Sequence, residues 1–430
     1  MQDQNHRVVI VGGGFGGLYA AKALRRAPVH VTLIDKRNFH LFQPLLYQVA
    51  TGGLSPGDIA SPLRWILNRH KNAEVILGEV TRIDVAAKEV VMFNVSVAYD
   101  TLIVATGAGH DYFGHTDWER FAPGLKTVED AIEIRGRIFR AFEDAEREND
   151  PVRRKRFMTF VIVGGGPTGV ELAGALGEIA HDTLKHDFRK INPGEAQIIL
   201  VEASDRILLS FPPALSIRAV SSLARLGVHV LTDHRVMRIN DLGVDVWHAG
   251  QTTNIAAATV LWSAGVRSSS LGRDLVADNT ILLDKAGRVI VNPDLTVPGH
   301  PDIFVIGDLA SFTHQTGEPL PGIAPVAMAQ GRFVARAVVR RLKGDGIGTF
   351  HYFNKGILAT IGRAAAVADF GWVRVSGYPA WLLWLFVHLM YLVEFENRLL
   401  VLVQWGWSYL TFNRGARLIT GEAENRQSRR

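Results

Sequence analysis

The chain has 430 residues, 47% hydrophobic and 21% charged, a globular composition with room for two to three domains of about 150 residues. It contains no cysteine, which excludes a disulfide-stapled fold, Cys-based zinc or iron–sulfur centres, thiol nucleophiles and CxxC redox chemistry. The net charge of +5 and pI near 9.4 suit nucleic acid, anionic lipid or acidic substrates equally and select none of them.

Met1–Arg7 is polar and lacks the apolar run of a secretory signal, so the chain is expected to stay on the cytoplasmic side. A strand is predicted at Val8–Val11, followed by Gly12, Gly14 and Gly17 at GxGxxG spacing and then helix-forming sequence. The first glycine allows a tight turn, the second removes a Cβ that would block a pyrophosphate, and the third lets helix pack on strand. The anion then sits on free N–H groups at the positive end of the helix. A second strand, Val29–Ile34, ends at Asp35, 23 residues after Gly12, where an acid accepts from ribose hydroxyls. Together these features predict a dinucleotide site.

Tyr99–Ala108 is a short buried strand ending in Thr106-Gly107, and Glu129–Arg156 reads as a charged, solvated helix and connector. The opening then repeats. Val161–Leu176 matches Val9–Leu24 at ten of sixteen positions. Gly164, Gly166 and Gly169 restore the glycine spacing, and Glu202 closes the strand Gln197–Val201. A carboxylate there prefers a free 2′-hydroxyl and repels a 2′-phosphate, so this second site should take NADH rather than NADPH. Two cradles without cysteine imply that electrons travel on bound cofactors. Which cradle takes a flavin does not follow from glycine spacing.

Further strands are predicted at Thr259–Ala264 and Asp302–Leu309, and a helix at Pro325–Lys343, opening at a proline suited to a first turn. Ala380–Val393 then gives 14 residues with His388 as their one polar member, and five of nine tryptophans fall between Trp372 and Trp407. At 1.5 Å per residue the run spans only ~21 Å, short of the roughly 30 Å hydrocarbon core. With Arg414, Arg417, Arg426, Arg429 and Arg430 following, it suits a helix lying in the anionic headgroup interface; a buried core or dimer interface is the alternative.

Longer stretches now carry a specific resemblance: GGGFGG at Gly12–Gly17, NFHLFQPLLYQVATG at Asn38–Gly52, LIVATGA at Leu102–Ala108 and GGGPTGVELAGALGE at Gly164–Glu178. VLWSAGVR at Val260–Arg267, DIFVIGDLA at Asp302–Ala310, APVAMAQG at Ala324–Gly331 and the Trp-rich Asn397–Phe412 extend it over essentially the whole chain. The sequence resembles type II, non-proton-pumping NADH:quinone oxidoreductases, within the flavoproteins that carry two dinucleotide-binding domains. The fold so implied is α/β, with two Rossmann-like domains for FAD and NADH and a C-terminal amphipathic or apolar helical segment that anchors to the membrane. Expected boundaries are 1–115 and 296–345 for the FAD domain, 116–295 for an inserted NADH domain, and 346–430 for membrane association.

The resemblance implies FAD at Gly12, Gly14, Phe15, Gly16, Gly17, Asp35 and Lys36, with Thr106, Gly107, Asp308, Ala324 and Pro325 around the flavin. It implies NADH at Gly164, Gly166, Thr168, Gly169, Glu171, Glu202, Ala264 and Gly265. The family's quinone region maps to the helix near Pro325, where an Ala-Gln pair and a second glutamine are usual. Here Ala324-Pro325 replaces the pair and Gln330 remains, so Gln330 is the quinone candidate. The implied activity passes electrons from NADH through FAD to a membrane quinone without pumping protons, on a peripheral protein of the cytoplasmic membrane face.

Glu171 is placed in the first turn of its helix, where it either complements the helix dipole or, as a catalytic residue over the flavin, orders the nicotinamide or mediates proton movement. The functional role is preferred, because a second negative charge beside a phosphate loop gains little from the dipole. Gln330 is otherwise a helix-surface amide, His40 a hydrogen-bonded loop histidine and His388 an interfacial side chain. Histidine spacing suggests no metal site, and no nucleic-acid partner is expected. The alternatives are a soluble FAD-dependent NADH reductase with another acceptor and a flavoprotein with a mainly binding or regulatory role. Pairing of two copies through the C-terminal helices is a further expectation.

Overall fold

The computed structural model describes residues 6–275, 282–393, 395–411 and 414–420, which fall into two compact units. The first is drawn from Met1–Leu41, Ala60–Gly109 and Val266–Asn354. Its centre is a six-stranded sheet in the order Thr296–Val297, His300–Val305, Thr101–Val104, His6–Val11, Val29–Asp35, Ala73–Leu77. All neighbours run parallel except the antiparallel edge strand Thr296–Val297. Val8, Val9 and Ile10 are almost fully buried, which is why this strand reads as an unbroken β-branched run rather than an alternation. Strand order reverses on either side of His6–Val11, and ligands of open α/β sheets bind at the carboxyl ends beside such a reversal. The helix Phe15–Ala23 leaves from that point and packs on the long helix Ala324–Leu342. Their contact is backbone-close: a Cβ on Gly331 would lie 2.3 Å from the Gly16 carbonyl oxygen.

The second unit is drawn from Phe42–Ile59, His110–Gly265 and Lys355–Arg430. Its four-stranded parallel sheet runs Val228–Leu231, Gln197–Val201, Thr159–Val163, Thr259–Trp262, repeating the reversal around its first strand. Trp262 closes one end of this sheet, stacked on Tyr112 at 5.1 Å and edge-on to Trp118. A helix predicted within Glu129–Arg156 is present as Val128–Arg147, opened by a Thr127–Asp130 capping box, with a shorter helix Pro151–Phe157 after it.

Several segments sort differently from the expected boundaries, because membership follows packing rather than chain position. Phe42–Ile59 joins the second unit: its short helix Leu46–Ala50 packs on Val128–Arg147. Val266–Asn354 belongs to the first, where the helical turn Leu271–Asp274 packs on the strand Val80–Asp84. The C-terminal region also opens on an unforeseen antiparallel sheet, Ile357–Gly362, Ala365–Asp369 and Arg374–Gly377, before its helices Tyr378–Tyr391 and Phe395–Thr411. That sheet packs against the helix Pro167–Glu178, where a Cβ on Gly174 would fall 1.5 Å from the Ile361 carbonyl oxygen.

Candidate active site

The two glycine loops are built alike. In the first, Gly12 has φ +103°, its N–H reaches the Ile34 carbonyl at 2.8 Å, and a Cβ would strike the Ala105 carbonyl oxygen at 2.4 Å. In the second, Gly164 has φ +106° and donates to Val201 O at 2.8 Å, with the Ala264 nitrogen 2.7 Å from where a Cβ would be. Gly17 and Gly169 each let their helix return onto the loop, since a Cβ would lie 1.8 Å from Gly12 O and 1.9 Å from Gly164 O. Gly14 and Gly166 have nothing within 4 Å of a Cβ position and begin their helices, so the helix N–H groups are open to an anion.

The acids brace these loops as well. Asp35 accepts from Gly13 N–H at 2.5 Å and Arg37 N–H at 2.7 Å; Glu202 accepts from Gly165 N–H at 2.6 Å and Ser204 N–H at 2.8 Å. Each carboxylate keeps lone pairs for ribose hydroxyls. The sequence showed the acids but not their grip on the second residue of each loop.

Other expected residues of the first unit gather near its cradle. Phe15 opens the helix and stands edge-on to His40 at 5.0 Å, and Gly16 lies against Ile306. Gly107 has φ +70°, and the buried Thr106 Oγ1 has no hydrogen-bond partner among the described residues, which fits a polar cofactor edge. Asp308 lies in the turn Gly307–Leu309 with its carboxylate against Gly322. Ala324 and Pro325 form the first turn of their helix, and Lys36 pairs with Glu79 at 3.9 Å. Gln330 is no surface amide: it is 1% exposed, and its Oε1 takes the Gly307 N–H at 2.7 Å, holding the turn that carries Asp308.

In the second unit, Thr168 sits in the first turn of Pro167–Glu178, and Ala264 and Gly265 form the turn after Thr259–Trp262. Gly265, at φ +75°, leaves 2.7 Å between a Cβ position and Asp111 O. Glu171 falls in the second turn of its helix, not the first, because the helix starts at Pro167. A macrodipole role fades beyond the first turn, which removes the competing explanation.

Glu171 instead lines a cavity with Tyr47, Thr360, Trp381, Trp384 and Arg414. Burial pushes its carboxyl up to about 8, against a smaller opposing effect of a hydrogen bond from the Thr360 backbone. Burial, and then the Glu171 charge, hold the Tyr47 phenol well above its usual range. The Tyr47 hydroxyl accepts from Gln48 Nε2 at 2.9 Å, and Gln48 Oε1 accepts from Trp405 Nε1 at 2.8 Å, so the apolar tail reaches this wall through two hydrogen bonds. Tyr47, Gln48 and Trp405 were not individually foreseen. They sit in the stretches that carry the resemblance, but nothing local marks a tyrosine in PLLYQVATG as a cavity wall. His388 donates Nδ1–H to Trp384 O at 2.7 Å, and burial brings its pKa down to about 4, so it packs as a neutral ring.

Two of the C-terminal arginines expected at lipid headgroups are committed elsewhere. Arg414 pairs with Glu178 at 2.6 Å and Arg417 with Asp187, while Arg426, Arg429 and Arg430 lie outside the described residues. The two apolar helices expose Phe386 (61%), Val403 (62%) and Trp407 (64%), none of which lines the cavity. Among the described residues no helix is long and apolar enough to cross a membrane.

Residues 6–331 match the pyridine nucleotide-disulphide oxidoreductase family and residues 354–414 the NDH2 C-terminal domain. The chain is 45% identical over 427 residues to the type II NADH:quinone oxidoreductase Ndh of Mycobacterium tuberculosis, covering 97% of this chain and 91% of that protein. It is 46% identical over 428 residues to NdhA of the same organism, covering 97% and 90%. In structure it resembles NDH2 from Plasmodium falciparum, solved with NADH, at a TM-score of 0.88 and 20% identity over 97% of this chain and all of that one. The fold is thus the α/β arrangement expected from the sequence, and the chain belongs to the type II NADH:quinone oxidoreductases.

Proposed function

We propose that the first glycine cradle binds FAD and the second NADH, and that Glu171 and Tyr47 serve quinone reduction at the cavity they line. The activity is that of the family: NADH is oxidised and a quinone reduced, with FAD as the redox cofactor and no proton pumping. FAD, when bound, accepts a hydride and passes two electrons onward; the protein positions it and manages protons. The open Gly14 and Gly166 helix starts take the pyrophosphates, and Asp35 and Glu202 the riboses. Glu202 leaves a 2′-phosphate facing a carboxylate, which favours NADH.

Quinone reduction consumes two protons as well as two electrons. With its pKa near 8, Glu171 is a neutral acid at pH 7 and has a proton to give an oxygen that gains negative charge. The observation that carries this reading is one cavity lined by Glu171, whose carboxyl is pushed up to about 8, by Tyr47, and by Trp381 and Trp384 from an apolar helix. The exposed apolar faces of Tyr378–Tyr391 and Phe395–Thr411 support a peripheral seat on the cytoplasmic membrane leaflet, with anionic lipid beneath and pairing of two copies through the same helices as the competing use of that surface.

Anaerobic NADH added to the yellow protein, followed by a short-chain quinone, tests the assignment. Bleaching and rapid recolouring are expected. Glu171→Gln should still bleach but recolour slowly; a variant that recolours like the wild type removes Glu171 from the quinone step.

A further inference from the structure

His40 is 1% exposed and lies on the short strand Phe39–Leu41, pressed between the first glycine loop and the ring of Phe15. Its Nδ1 lies 2.9 Å from the Gly13 carbonyl oxygen. A carbonyl only accepts, so Nδ1 carries the hydrogen. Burial brings the imidazole pKa down to about 4, so the ring is neutral and Nε2 bears a lone pair. Nε2 is also buried, and among the described residues it has no hydrogen-bond partner. Leaving such an acceptor unpaired in a buried place is unfavourable, so a donor is called for.

The place of that donor is constrained. Gly13 is held from both sides, its N–H by Asp35 at 2.5 Å and its carbonyl by His40 at 2.9 Å. Asp35 is the acid placed for the ribose, and Gly13 adjoins Gly14, the open start of the helix. A pyrophosphate offers acceptors alone and would repel the lone pair; a sugar hydroxyl can donate. We propose that His40 is a cofactor-binding residue, its Nε2 accepting a hydrogen bond from a sugar hydroxyl of the dinucleotide in the first cradle. This rests on the assignment of FAD to that cradle. His40 thus has two tasks: its Nδ1–H fixes the loop, and its Nε2 reads the cofactor.

Asparagine separates the tasks, because its side-chain N–H can replace Nδ1–H while nothing replaces Nε2. FAD release from the full-length holoenzyme on dilution, followed by the fluorescence of the freed flavin, should show roughly three- to tenfold weaker retention in His40→Asn. The melting temperature of the FAD-free chain should stay that of the wild type. In wild-type protein with ¹⁵N-labelled histidine, the His40 Nε2 resonance should shift between the FAD-free and FAD-loaded chain. Wild-type retention in His40→Asn, or an Nε2 resonance indifferent to FAD, overturns the proposal and assigns the acceptor to a buried water. Asp35→Asn and Glu202→Gln serve as controls: if Glu202→Gln alone releases FAD, the cradle assignment fails, and the proposal with it.

Discussion

Glu178 and Arg414 meet at 2.6 Å with their side chains only 14% and 11% exposed, joining the end of the Pro167–Glu178 helix to the chain beyond the apolar helices. Arg414 also donates to Thr51 Oγ1 at 2.9 Å, and Glu178 accepts the Arg363 N–H, so four separate stretches of the second unit share this pair. Removing one partner of a buried pair leaves the other charge uncompensated, at a cost of roughly 3–5 kcal/mol. Arg414→Gln and Glu178→Gln should each lower stability in denaturant titrations by about that amount. The double variant should lose clearly less than the sum of the two. Additive losses would mean that the pair is not coupled.

Glu171 gives a pH dependence of definite sign. Its folded-state pKa near 8 is raised above that of an unfolded glutamate, so it binds a proton more tightly when folded. Its stabilising contribution is fully present below about pH 4 and is lost as pH rises through 8. Thermal melts should show the wild type losing stability against Glu171→Gln between about pH 4 and pH 8, with no further loss above that. Quinone-dependent turnover should fall as pH rises through about 8 and the folded acid ionises, and the variant should be slower, by about a hundredfold or more, and flat in pH. Equal pH profiles for the two proteins would rule out titration of Glu171 as the cause.

The paired cradles were legible in the sequence because local chemistry dictates them. Only glycine tolerates the φ of Gly12 and Gly164, and an acid at the end of the second strand falls beside the loop whatever lies elsewhere. Gln330 shows where such reading stops. Nothing in PVAMAQG reveals that its carbonyl seeks the N–H of Gly307, 23 residues earlier. The same holds for Arg414 and Arg417, whose position after an apolar run looks like a lipid contact until Glu178 and Asp187 are brought to them by the fold. Glu171 was marked by its motif, but the burial that displaces its pKa comes from a cavity whose walls include Tyr47, Thr360 and Trp384, all remote in sequence.

Nicotinamide selectivity should answer to Glu202. Its carboxylate braces Gly165 and Ser204 and, in the proposed assignment, faces the ribose, so a change there touches loop shape and charge together. Glu202→Gln keeps one oxygen for the Gly165 N–H and removes the charge that repels a 2′-phosphate. Its kcat/KM for NADH should fall, on the order of tenfold, and its preference for NADH over NADPH should shrink by a similar factor. Steady-state rates with both nucleotides check this. Unchanged discrimination would place the selectivity on another side chain.

The exposed faces of the apolar helices give a test that leaves the cavity alone. Phe386 and Val403 are 61% and 62% exposed and do not line it. A large apolar side chain moved from water into an apolar medium gains about 1.5–3 kcal/mol, so replacing both by glutamate removes that gain and adds two charges that an anionic surface repels. Phe386→Glu/Val403→Glu should lose at least tenfold in co-sedimentation with vesicles containing anionic phospholipid. Anaerobic bleaching by NADH should continue at the wild-type rate. If vesicle binding persists while dimer formation is abolished, this face serves contact between two copies of the chain rather than lipid.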